Sequence, residues 1–411
     1  MLYGRWVAAR LRRAGARPYV HILFGARQTG KSTLLRALFP RADLWIDLSR
    51  PAERARYLAR PETFVEVCEA LPRGRRRVVV DEIQAVPALF DAVQHLYDAD
   101  RGRYRFFLSG SSARKLRVTG ANLLPGRSIL HTLQPLVLAE RPAQPGSDDR
   151  GIERPVPLSG SVPPPRFPRA SLVDRLAYGD LPGIALAAPR DREPLLRSYA
   201  LVYLEEELRR EALIKDWAGF ARFLRLAALE SGRIVNYAKI AKDAGVSAPT
   251  VKSHYQLLED MFIGFHVGAH SGSPRKHVLS TPRFFFFDLG VRHAAAGLAN
   301  SHDTVLAHPG PLLEQWVGAE IWKRLQYLGR GSLSYFRTKA GAEVDFVLGR
   351  GDRLVPIEVK WTESPSAEDA RHLRAFLEEH PRRCTMGWVV CRCDRPRRIA
   401  PKVTAIPWWC L

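Results

Sequence analysis

The sequence predicts an α/β protein: first a parallel sheet with crossover helices, then a helical middle, then a mixed α/β last part. Three features predict it. Through the first ~140 residues, short apolar runs alternate with helical segments, the pattern of parallel strands joined by helices. From Ser171 to about Phe262, apolar residues recur at helical spacing. Beyond that, strand-like runs return among helices. At 411 residues the chain exceeds one ordinary core, so several domains are expected.

Taken in order, Tyr19–Phe24 is a short apolar strand, and a glycine loop leads from it into a helix beginning near Lys31. Leu44–Leu48 is the next strand, Val78–Val80 a buried strand running into Asp81, Tyr104–Leu108 a fourth and Ser128–Leu133 a fifth. Arg141–Arg169 holds eight prolines, two glycine–serine pairs and few apolar residues. Such a stretch is expected not to pack a core and reads as a linker or insertion. The expected parts are therefore 1–140, 141–170, 171–270 and 271–411, with no internal repeat.

Hydrophobic and charged fractions of 46% and 26% are globular values. No apolar run approaches the ~18–20 residues of a membrane helix. Met1–Arg13 lacks the apolar stretch of a secretion signal. A cytoplasmic chain without a membrane span is expected. Five cysteines argue against a disulfide framework. Cys391 and Cys393 fall in Gly387–Cys393, which reads as a strand and favours buried thiols over a zinc site. A formal charge of +21 suits a polyanionic partner such as nucleic acid. Of the 63 basic residues 52 are arginine and spread evenly, so composition alone locates no binding face.

Gly25-Ala26-Arg27-Gln28-Thr29-Gly30-Lys31-Ser32 fits G-x-x-x-x-G-K-[ST] in full, between a strand and a helix. Gly25 and Gly30 let the backbone turn tightly and aim N–H groups at phosphate oxygens. The helix start adds a dipole favourable to anions. The span Gly25–Thr33 is thus expected to hold a nucleoside triphosphate, ATP with Mg²⁺. Lys31 reaches the β- and γ-phosphates and the Ser32 hydroxyl ligates the metal. Asp81, at the end of a buried strand, is expected to hold the Mg²⁺ shell, and Glu82 to orient or deprotonate the attacking water. Ser109-Gly110-Ser111-Ser112 ends the next strand. Ser109 is counted with the nucleotide site, and the turn either senses the γ-phosphate or caps a helix. Arg114 and Arg127 are either fingers for a neighbouring subunit's γ-phosphate or surface residues.

The Gly25–Ser32 loop, the runs Asp81-Glu82-Ile83-Gln84 and Leu108-Ser109-Gly110-Ser111-Ser112, and Leu124-Pro125-Gly126-Arg127 form an ordered set. Leu136 to Glu140 and Gly179-Asp180-Leu181-Pro182-Gly183 continue it. In this order they resemble the archaeal and bacterial AAA-type ATPases with a C-terminal domain of unknown function. The resemblance runs from about Tyr19 to Lys360. It implies an AAA-type P-loop sheet, a winged-helix segment and a restriction-endonuclease-like core, and makes rings or dimers of the chain an expectation.

In the middle, Phe220, Phe223, Leu224, Leu226 and Ala227 mark one helix face within Gly219–Glu230. Asn236–Asp243, a turn at Ala244-Gly245-Val246 and a helix capped by Ser247 follow, an arrangement that suits helix-turn-helix docking. Lys252, His254 and Tyr255 would then meet phosphates or base edges, unless the module only packs between domains.

In the last part, Glu314 stands on an amphipathic helix, Pro311–Leu325. Tyr335–Arg337, Val344–Leu348 with Asp345, and Val355–Val359 read as strands, the last two joined by the turn Gly349–Asp352. Glu358 and Lys360 are two residues apart and face one side, where Asp345 meets them across the hairpin. Two carboxylates and a lysine on one sheet face suit Mg²⁺-dependent phosphodiester hydrolysis. Asp345 and Glu358 would ligate the ion, Glu314 would complete the shell and Lys360 would steady the water. The order Glu, Asp, Glu-x-Lys resembles a nuclease motif. Arg337 and Glu343 flank it, as tuning groups or as an ion pair. Two functions are expected from this: an ATP-driven enzyme acting on DNA, or a nucleotide-dependent switch whose nuclease-like domain binds without cutting. A protein-remodelling ATPase with incidental charge is the third.

Overall fold

A computed structural model describes residues 3–112, 124–144, 154–156, 162, 164–200, 214, 216–271, 281–338 and 341–411. The chain divides into two compact units. The first is Met1–Gln134 with Val162–Pro165 and Leu257–Ile263, and the second is Pro135–Ser161, Arg166–Gln256 and Gly264–Leu411.

The first unit is built on five strands: β1 Val20–Phe24, β2 Leu44–Asp47, β3 Arg76–Asp81, β4 Tyr104–Gly110 and β5 Ser128–Thr132. All pair in parallel, in the order β2-β3-β4-β1-β5. Runs such as Val78-Val79-Val80 and Phe106-Phe107-Leu108 are buried on both faces, as a sheet covered by helices on each side requires. Val78, Val80, Phe106 and Leu108 face a core shared with Tyr57, Phe64, Leu89, Phe90 and Val93 of the flanking helices. Parallel pairing brings every strand's C-terminal end to one edge. Phe24 pairs with Gly110 and with Thr132, and Asp47 with Asp81. The expected strands stand within about two residues of their observed ends.

The second unit holds β6 Gly264–Ala269, β7 Arg283–Phe286, β8 Ser332–Arg337, β9 Glu343–Arg350, β10 Arg353–Val359, β11 Gly387–Cys391, β12 Arg397–Ala400 and β13 Val403–Pro407. They form one mixed sheet, β12-β13-β11-β10-β9-β8-β6-β7. The hairpin expected at Gly349–Asp352 joins β9 to β10, with Arg350 opposite Arg353. The helix Pro309–Leu328 starts on a proline and stops at Gly329, whose φ of 65° is a left-handed cap. Its Leu313, Trp316, Val317 and Ile321 pack with Phe285, Phe346 and Ile357 of the sheet. Gly318 permits that approach, since a Cβ there would sit 2.6 Å from the Phe346 ring.

Contrary to expectation, described residues of the proline-rich stretch do enter this core. Ala143 and Val156 belong to its apolar cluster. Arg141 is buried with Arg175 around Asp180, at 3.0 and 2.8 Å. Asp180 Oδ1 accepts from both guanidiniums, and Arg175 also donates to the Pro142 carbonyl at 3.0 Å. No described helix is long and apolar enough to cross a membrane.

Candidate functional site

In the first unit, the loop leaves the C-terminal end of β1, between β4 and β5. Gly25 is obligatory by space: a Cβ there would lie 2.2 Å from the Leu133 carbonyl oxygen. Leu133 is held there by its N–H, which donates to the Phe24 carbonyl at 2.7 Å. Gly30, at φ 92°, turns the loop into the helix Lys31–Leu38. Thr29 is fully buried and its hydroxyl donates back to the Ala26 carbonyl at 2.8 Å. The Lys31 ammonium is buried and donates to the Gly25 and Ala26 carbonyls at 2.9 and 3.1 Å. Gln28 is exposed on the loop and Thr33 on the helix, and Arg27 is half-buried.

Asp81 meets this loop from β3. The Ser32 side chain hydrogen-bonds it, and the Ser109 hydroxyl from β4 donates to its Oδ1. Burial pushes the Asp81 carboxyl upward, and both hydroxyls oppose that shift. Glu82 follows in a left-handed conformation, φ 57°. Its Oε2 accepts from the Gln84 side-chain amide and from the Ser111 hydroxyl, the latter at 3.0 Å. Gln84 also donates to the Ser111 hydroxyl at 2.9 Å. Loop, Ser32, Asp81, Glu82, Ser109 and Ser111 therefore converge on one sheet edge. The donor set of a hydroxyl beside a buried carboxylate is all oxygen, the chemistry Mg²⁺ requires.

Arg127 is not brought to its own loop: its carbonyl accepts from the Val20 N–H, at the opposite end of β1, and its guanidinium pairs with Asp98 at 2.7 Å. Arg114 lies outside the described residues. Arg5, which motif reading missed, braces the site. It is buried, and its guanidinium donates to the Thr29 and Gln134 carbonyls, both at 2.7 Å. No local pattern announces it among 52 arginines.

In the second unit, Glu314, Asp345 and Glu358 come close enough to raise one another's proton affinity. Burial first, then the Asp345 charge, pushes Glu314 and Glu358 well above the carboxylate range. Asp345 is raised by burial, against the pull of the Val359 N–H that donates to its Oδ2 at 2.8 Å. Lys360 donates to Glu358 Oε1 at 2.7 Å, while Glu358 Oε2 is buried without a hydrogen-bond partner. That orphaned oxygen fits a cation. Glu314, however, accepts at Oε1 from the Arg283 guanidinium at 2.5 Å. Among the described residues no three His, Cys, Asp or Glu side chains already surround one point as metal ligands would. Glu343 pairs with Arg283 too, and Arg337 stands opposite Glu343 in the β8–β9 register.

In the middle segment, two of the three candidate nucleic-acid residues are packed among aromatic rings. Tyr255 is buried against Phe223 and Phe284, with ring centroids 5.0 and 4.7 Å away. His254 packs on Phe220 and Phe223, and burial lowers its proton affinity. Neither side chain is presented to a base edge. Lys252 is exposed, 5.3 Å over the Tyr237 ring.

Comparison with known families covers most of the chain in three segments. Residues 17–141 match the AAA domain. This segment of the chain is thus similar to AAA domains. Two domains of unknown function match the remainder, DUF8612 at 169–302 and DUF4143 at 309–411. Uncharacterized proteins Rv2008c of Mycobacterium tuberculosis and Mb2031c of Mycobacterium bovis are each 27% identical over 375 residues, covering 91% of this chain and 77% of theirs. A solved structure, protein VC1899 from Vibrio cholerae, aligns over 94% of each chain at 11% identity with a TM-score of 0.18, too low to establish a shared fold.

Proposed function

We propose that the protein is a Mg²⁺-dependent ATPase whose second unit acts on nucleic acid through a nuclease-like carboxylate site. The observation that carries it is the meeting of Lys31, Ser32, Asp81 and Glu82 on one sheet edge. Backbone N–H groups of Gly25–Thr33 and the Lys31 ammonium would cradle the phosphates. Ser32 and Asp81 would hold Mg²⁺, which neutralises charge on the phosphates. Glu82 would take the proton of the attacking water once released from Gln84 and Ser111. Glu82→Gln is expected to keep ATP binding and lower turnover by ~10²–10⁴-fold, the contribution of a positioned general base. Wild-type phosphate release by that variant would remove Glu82 from the role.

Helices Trp217–Leu229, Tyr237–Ala244 and Ala248–Asp260 followed by the antiparallel pair β6–β7 support a winged-helix reading. The hairpin of Asp345 and Glu358 beside the Glu314 helix supports a restriction-endonuclease-like core. Asp345 and Glu358 would hold a divalent ion that activates water, and Lys360 would steady that water. Plasmid, linear and single-stranded DNA with Mg²⁺ or Mn²⁺, with and without ATP, is expected to be cut by the wild type. Asp345→Ala and Lys360→Ala are expected to lose the cleavage. Intact DNA under every condition, with DNA binding preserved, favours the second reading: a nucleotide-dependent switch, consistent with the hold of Arg283 on Glu314. Arg127, turned from its own loop, would reach a γ-phosphate only in a neighbouring copy.

A further inference from the structure

Arg283 has no part in the chemistry above, yet its side chain is only 6% exposed and lies inside the carboxylate cluster. It opens β7, where Val267 of β6 fixes its register. Its Nη1 donates to Glu314 on the helix and its Nη2 to Glu343 on β9. The guanidinium also lies 4.8 Å over the Tyr335 ring, whose hydroxyl donates to the Thr281 carbonyl at 2.7 Å. A planar fork held from two elements and by a ring is a fixed charge, with little freedom to swing.

The charges in the cluster set what else can enter. Glu314, Glu343, Asp345 and Glu358 face Arg283 and Lys360, so the formal balance left over is that of one divalent ion. Glu314 and Glu343 each accept from Arg283 at Oε1, whereas neither Asp345 nor Glu358 is bonded to a guanidinium: Glu358 Oε2 is buried with no hydrogen-bond partner, and Asp345 Oδ2 accepts from the Val359 N–H.

We propose that Arg283 stands where a second metal would stand, so that this site takes a single divalent cation on Asp345 and Glu358 while Glu314 serves Arg283. The proposal rests on the reading that Asp345 and Glu358 hold an ion. Glu314 is then a positioning residue, and Arg283 sets the metal count of the site.

Mn²⁺ binding to the full, nucleotide-free chain tests this, by calorimetry and by the loss of the free-ion electron spin resonance signal. The wild type is expected to bind one Mn²⁺ that Asp345→Ala loses. Glu314→Gln is expected to keep that ion within about threefold of wild-type affinity. Arg283→Met, which strands Glu314 and Glu343, is expected to take up a second ion or bind the first ~10-fold more tightly. Arg283→Lys keeps a charge and should retain one ion. If Arg283→Met fails to fold, Glu314→Gln and Arg283→Lys carry the test alone. A loss of ~10-fold or more in Glu314→Gln, a second ion in Arg283→Lys, or an unchanged Arg283→Met overturns the proposal while leaving the Asp345–Glu358 site intact. Mn²⁺ binding unaffected by Asp345→Ala instead overturns the underlying metal reading.

Discussion

Lys31→Ala is expected to cut ATP turnover by on the order of 10²–10³-fold or more, the cost of removing one preorganised charge from a phosphoryl-transfer site. The ammonium already lies within hydrogen-bond reach of the Gly25 and Ala26 carbonyls, inside the ring of backbone that the phosphates would enter. Steady-state phosphate release measures the loss, and a fluorescent nucleotide measures binding beside it. Because two loop hydrogen bonds go with the side chain, a melting curve must accompany both. Turnover at the wild-type rate in a folded Lys31→Ala protein would refute the assignment of the loop.

The largest effect on stability is expected at Asp180. Its carboxylate, Arg141 and Arg175 are all nearly inaccessible, and Trp316 Nε1 donates to its Oδ2 at 3.3 Å. Asp180→Ala strands two buried guanidiniums and should destabilise the second unit by ~3–5 kcal/mol, the usual cost of removing one partner from a buried ion pair. Burial pushes the Asp180 carboxyl up, but Arg175 and Arg141 outweigh it and hold the group below its ordinary value. A folded-state value below the unfolded one means the contribution is present above pH ~4 and lost as pH falls further. The gap between wild type and variant should therefore shrink in acid. Denaturant unfolding at pH 7 and at lower pH checks both points, and a loss under ~1 kcal/mol at pH 7 would show the arginines find other partners.

How much of this was legible in the sequence follows from how local each feature is. The phosphate loop was read whole, because its residues are consecutive and its strand and helix flank it directly. Asp81 and Glu82 were found because a buried valine run ends on them. Arg5, Gln84 and Arg283 were not assigned roles. Arg5 meets residues 24 and 129 positions away and Arg283 meets one 60 positions away, so no short pattern contains these contacts. Gln84 lies two residues from Glu82 and needs the fold of β4 to bring Ser111 beside it. The helix beginning at Ala248 shows a different limit. Its apolar period is visible in the sequence, but Tyr255, four residues after Val251 on the buried stripe, could equally be grouped with Lys252 as a nucleic-acid contact. In Arg141–Arg169 composition misled, because a short segment contributes to a core through a few inward side chains whatever its average.

The parallel order of the first sheet carries a kinetic consequence. The loop, Asp81 and Ser109 belong to strands that neighbour one another only across long crossovers: β1 pairs with β4, some 86 positions away. Contacts of that range form late in folding. The site exists only when the sheet is nearly complete, so a triphosphate bound there has nothing to grip in a partly folded chain. It would stabilise the finished domain by mass action. Its mark would be a slower unfolding rate, with the rate of folding left almost unchanged.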